Sequence, residues 1–93
     1  MEEAGRTLVG QSNTILKKVV IPFTEPFPTP PVVVANTLQT DPIYPPASIP
    51  DTFAVSITGV TNTNFHANIL RVDNPQAGGW GQKLSLGWMA ETP

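Results

Sequence analysis

Apolar and polar residues alternate most regularly between Thr52 and Asp73. Phe53, Val55 and Ile57 share one face, and Ala54, Ser56 and Thr58 share the other, which is the pattern of a half-buried strand. Phe65, Ala67 and Ile69 repeat it after the polar stretch Thr61-Asn62-Thr63-Asn64. The pattern predicts strands over 53–60 and 65–72, paired as a local antiparallel hairpin. Asn62 and Asn64 tolerate left-handed dihedrals and bond their own backbone, so a tight reversal without glycine is expected. Leu70 and Val72 fall on the face of His66 and Asn68, so something besides solvent should cover the end of the second strand.

The same alternation predicts a strand over 15–23, with Lys17, Val19, Ile21 and Phe23 on one face and Pro22 marking an edge or an end. Residues 24–31 carry four prolines, which fix extended backbone without donors, so this stretch should cross from one sheet edge to another. Residues 32–38 begin apolar on both faces and read as a strand that is central or covered on both sides. Residues 39–51 have four prolines, Tyr44 and two aspartates without a period, and predict a long surface loop. Asn-Pro and Gly-Gly between Asn74 and Gly81 are turn signals, and Trp80 stands at the end of that loop. In 82–90, Leu84, Leu86, Trp88 and Ala90 share a face, which makes Trp88 a core residue. Residues 1–13 are polar and glycine-punctuated, with 6–9 the one short strand candidate, and read as a partly mobile lead-in to a single domain over 14–93. Five clear strands and a weak sixth predict an all-β fold, a six-stranded antiparallel β-sandwich.

Composition narrows the chemistry. Eleven prolines in 93 residues exceed twice the average usage of about 5% and disfavour a helical bundle. There is no cysteine, so neither disulfides nor thiolate metal sites are available. Five basic residues and a net charge of −2 give no footprint for a phosphate backbone, so nucleic acid is not an expected partner. No stretch approaches the roughly 20 apolar residues of a membrane helix, and the first residues lack the pattern of an export signal, so no membrane insertion is expected. His66 is the one histidine and reads as a surface or interface residue. No nucleophile elbow, phosphate-cradling loop or two-histidine zinc spacing is present. Asp41, Asp51 and Asp73 lie in or beside loops, where they could converge on a cation or as acid and base, yet separated aspartates are common. The expectation is therefore a non-enzymatic protein without metal or cofactor.

The order of segments resembles the H-type lectin domain, the family that includes the C-terminal domain of discoidins. The resemblance rests on Val20-Ile21-Pro22-Phe23, on 27–34 (Phe-Pro-Thr-Pro-Pro-Val-Val-Val), on Val60-Thr61-Asn62-Thr63-Asn64-Phe65 and on 84–90 with its Trp88 and Ala90. It implies a six-stranded sandwich assembled as a homotrimer, sometimes stacked into hexamers, with galactose-type sugars held near subunit interfaces. A trimer would account for Val20, Val33, Ala35, Leu70 and Val72 on second faces. Asp41 stands where the family places an aspartate that accepts bonds from sugar hydroxyls. Ser56 takes the place of the family's arginine, and Val72 and Asp73 take the place of its Trp-His pair, so the family's galactosamine specificity is not implied. Trp80 could instead supply an aromatic platform, a trimer contact or loop packing, with Asn74 and Gln82 as hydrogen-bonding groups nearby.

The sequence thus supports a trimeric, lectin-like adhesion module binding a surface glycan through Asp41, Asp73, Asn74, Trp80 and Gln82. Weak single sites gain from being engaged together. The alternative is a structural trimerisation or virion-associated module, of a tail, fibre or capsid, that has lost the sugar site. The lack of cysteine and of an export signal fits a microbial or viral adhesion protein better than a secreted animal lectin.

Overall fold

The computed structural model describes residues 1–42 and 51–93. Six strands run through them: β1 (Glu2–Ser12), β2 (Leu16–Pro22), β3 (Val32–Leu38), β4 (Phe53–Val60), β5 (Asn64–Arg71) and β6 (Trp80–Glu91). They form two three-stranded antiparallel sheets, ordered β1-β6-β3 and β2-β5-β4, packed face to face as the alternation predicts. The two central strands carry the most deeply buried side chains: Phe65, Ala67 and Ile69 on β5 face Leu84, Leu86, Trp88 and Ala90 on β6. Val19, Val33, Ala35, Val55 and Ile57 close the core from the outer strands. Most of the 39–51 loop, including Tyr44, lies outside the described residues.

The connector of residues 24–31 does cross from the β2 edge of one sheet to the β3 edge of the other. It is anchored rather than free. Phe27 is buried and meets Phe23 edge-to-face at 4.8 Å, and Asn62 Nδ2 donates to the Phe27 and Pro28 carbonyls. The β4–β5 reversal uses no left-handed asparagine, since no described residue other than glycine has positive φ. Thr61 does that work: its Oγ1 accepts from the Thr63 and Asn64 amides, holding the turn with a hydroxyl.

Three expectations are corrected. The chain start is not a lead-in with a four-residue strand, because β1 pairs with β6 from Glu2↔Glu91 to Ser12↔Trp80. Periodicity misses it because its inward positions are Glu3, Gly5, Thr7 and Val9, of which only the last is apolar. The volume is supplied from across the sheet: a Cβ at Gly5 would lie 2.5 Å from the Trp88 ring, and Trp88 Nε1 donates to Thr7 Oγ1 at 3.3 Å. Glu3 is used as well, accepting from the Thr24 amide and hydroxyl. Secondly, β3 is an edge strand, with Val32 and Val34 facing outward. Thirdly, Trp80 does not sit in the loop but opens β6.

Candidate functional site at one end of the sandwich

The registers Ser12↔Trp80, Leu16↔Leu70, Leu38↔Ser85 and Phe53↔Arg71 place the β1–β2 turn, the end of β3, the start of β4 and the β5–β6 loop at one end of the molecule. All five residues singled out in the sequence lie there, in unequal settings. Asp41 is buried, and its Oδ2 accepts from the Lys83 amide at 2.9 Å. Gln82 is 3% exposed and donates through Nε2 to Asp51 Oδ2 at 2.9 Å. Trp80 is 5% exposed, stacks edge-to-face on Phe53 at 5.0 Å and donates through Nε1 to the Gly10 carbonyl at 2.8 Å. Of the three readings open for its ring, the structure therefore places it in packing, without a free face for a ligand. Asp73 and Asn74 reach the surface, but Asp73 accepts from Arg71 and from the Thr52 amide, and Asn74 Oδ1 caps the Gln76 amide in a local turn.

The residue that organises this end is Arg71, which the alternation along 65–72 does not single out. Its Nη2 reaches Asp51 Oδ1 at 2.8 Å, its Nε reaches Asp73 Oδ1 at 3.0 Å, and its Nη1 donates to the Gly79 carbonyl at 2.7 Å. One guanidinium thus ties the start of β4, the end of β5 and the loop into β6. Asp51 two residues before one hairpin strand and Asp73 two residues after Arg71 were the available signal. Gly79 is required where the loop turns in: its φ is +135°, and a Cβ there would collide with the Ser12 carbonyl.

The hydrogen bond from Arg71, reinforced by the Thr52 amide, holds the Asp73 carboxyl below its ordinary value. The same bond raises the Arg71 guanidinium despite its partial burial. For a carboxyl depressed in the folded state, the linked stability is fully present above the unfolded value of about 3.9 and is lost as pH falls through the folded value. Asp73→Asn should therefore leave a urea transition with a shallower acid limb below about pH 4 than the parent shows. An unchanged limb would mean that the Arg71 pair is not linked to folding.

Asp41, Asp51 and Asp73 do not converge on a cation. Two of them flank Arg71, and among the described residues no three His, Cys, Asp or Glu side chains are grouped to hold a metal. His66 is exposed on the outer face of the β2-β5-β4 sheet beside Val20, as a surface residue should be. On the far flank of Trp80 a cleft of about 640 Å³ opens between the β1–β2 turn and the start of β2, walled by Asn13, Thr14, Leu16, Lys17 and Lys18.

No known protein family is matched by the sequence, and no curated protein matches it. Among solved structures the fold is similar to the tailspike gp61 of Pseudomonas phage phi297, with a TM-score of 0.67 at 13% identity. That superposition covers 100% of this chain and 15% of the tailspike chain, so the likeness is to one module of a much longer polypeptide. It establishes the shared fold.

Proposed function

We propose that the chain is a non-enzymatic β-sandwich module of a virion-associated tail, fibre or tailspike assembly, working as a homotrimer. The observation that carries this is the outer face of the β1-β6-β3 sheet. Its rows, read from the register, are Glu2/Glu91/Val32, Ala4/Met89/Val34, Arg6/Gly87/Asn36 and Leu8/Ser85/Leu38. Val32, Val34, Met89 and Leu8 are each 59–65% exposed, apolar rows interrupted by Arg6 and Asn36 and with the acids gathered at one end. Three copies arranged in parallel about an axis would set the β1 edge of one beside the β3 edge of the next. Leu8 would then meet Leu38 and Ala4 would meet Val34, while Glu2 and Glu91 stay in solvent at the mouth. Covering each such side chain is worth on the order of 1 kcal/mol.

The lectin reading has less support at its predicted place, because Asp41, Trp80 and Gln82 spend their polar atoms inside the fold. The likeness to a tailspike module supports the virion setting. A cross-linking test suits a chain without native cysteine. Met89→Cys should give a disulfide-linked dimer band under mild oxidation, whereas Thr58→Cys, on the exposed face of the other sheet, should stay reduced. Equal behaviour of the two variants would overturn the placement of the contact.

A further inference from the structure

We propose that the cleft between the β1–β2 turn and Trp80 binds an acidic saccharide, whose carboxylate is held by Lys17 and Lys18. This goes beyond the assembly reading and would give such a module an attachment function of its own.

The cleft wall follows from a defect in β1. The β1–β6 register shifts on both sides of Gly10, which has φ +82°, so the strand bulges and its carbonyls turn away from β6. Two side chains from other strands take them up. Trp80 Nε1 donates to the Gly10 carbonyl, and Lys17 Nζ donates to the carbonyls of Val9 at 2.7 Å and Gln11 at 3.0 Å. Lys17 occupies an inward strand position that alternation would fill with an apolar residue, and its ammonium stands half-buried at the wall. Among the described residues no carboxylate lies within ion-pair distance of it, the ion pairs being those of Arg71 with Asp51 and Asp73. An ammonium has three donors, and two are used, so one N–H remains for a ligand.

The charge distribution favours an anion here. Glu2, Glu3, Glu25 and Glu91 all sit at the other end of the sandwich or on the connector there. The three aspartates at the cleft end are committed, Asp51 and Asp73 to Arg71 and Asp41 to the Lys83 amide. Lys18, exposed at the rim, faces the cleft with the uncommitted amides of Gln11 and Asn13. Leu16 supplies an apolar patch for a sugar's C–H face. A volume of about 640 Å³ is within the range of small-ligand sites and suits one or two sugar rings. A bare oxyanion would use the lysines alone; the amides and the apolar wall are what a saccharide adds.

The test is a titration of the isotopically labelled chain, read by amide and indole NMR shifts. The probes are N-acetylneuraminic acid, glucuronic acid, galactose and inorganic phosphate. At least one acidic sugar should give saturable shifts at Asn13 to Lys18 and at the Trp80 indole N–H, with galactose much weaker. Lys18→Gln should weaken that binding about tenfold, and Asn13→Ala should weaken the sugar but not phosphate. Galactose binding as well as the acidic sugars would overturn the role of the lysines. Phosphate matching the acidic sugars, with Asn13→Ala silent, would reduce the cleft to a plain oxyanion site and overturn the saccharide. No shifts, or shifts elsewhere on the chain, would overturn the site. Lys18→Gln leaves the outer face of the β1-β6-β3 sheet untouched, so its sedimentation should match the parent, and failure of this proposal is distinguishable from failure of the trimer.

Discussion

Replacing Trp80 by alanine is expected to destabilise the fold by about 3–5 kcal/mol, the cost of emptying a buried tryptophan site. The indole reaches from β6 across the sandwich to stack on Phe53 of β4, so it joins the two sheets at the end where the loops gather. Its N–H is also the donor that satisfies the Gly10 carbonyl at the β1 bulge, and an unsatisfied carbonyl adds about 1 kcal/mol or more. Small domains have about 5–15 kcal/mol in total, so the variant should unfold at markedly lower urea. Trp80→Phe should recover most of the loss and leave the carbonyl's share. A Trp80→Ala chain with the parent's urea midpoint would show that the ring is not part of the core. The practical consequence is that loss of ligand binding in this variant would not identify a binding platform.

The second large effect is expected on the outer face. Val34→Glu puts a carboxylate at the middle of the apolar rows, beside Met89 in the register. Val34 is 60% exposed in the single chain, so folding of the protomer should change little. In an assembly that buries this face, three carboxylates would have to lose water close together, at a desolvation cost of several kcal/mol each that the Arg6 row beside them offsets only in part. The oligomer should therefore dissociate, with far-UV circular dichroism and the urea midpoint of the protomer preserved. Ser56→Glu, at an exposed position on the other sheet, should leave assembly unchanged.

What the sequence made legible was whatever faces the core through apolar side chains. The β4–β5 hairpin, β2 and most of β6 follow directly from Val19, Ile21, Phe53, Val55, Ile57, Phe65, Ile69, Leu84, Leu86 and Trp88, all of which point inward as the alternation requires. β1 was hidden because Trp88 fills the space opposite Gly5 and Thr7, so the apolar signal for one strand is written in another. β3 looked covered on both faces because Val32 and Val34 are apolar, yet both face outward from an edge strand of the single chain. At the loop end, sequence found the right neighbourhood but not the roles. The partners that bury Gln82 and Asp41 come from 31 and 42 residues away, and no local pattern links Asp51 to Gln82 or Asp41 to Lys83. Arg71 was missed for the same reason: its importance lies in joining three segments that only the fold brings together.

Sedimentation equilibrium of the parent chain and Val34→Glu, side by side across the micromolar range, reads directly whether the outer face of the β1-β6-β3 sheet holds a homotrimer together. The expected result is a parent mass of three 10.0 kDa chains and a monomer for Val34→Glu. A parent that stays monomeric, or a Val34→Glu chain that keeps the parent's mass, would contradict it.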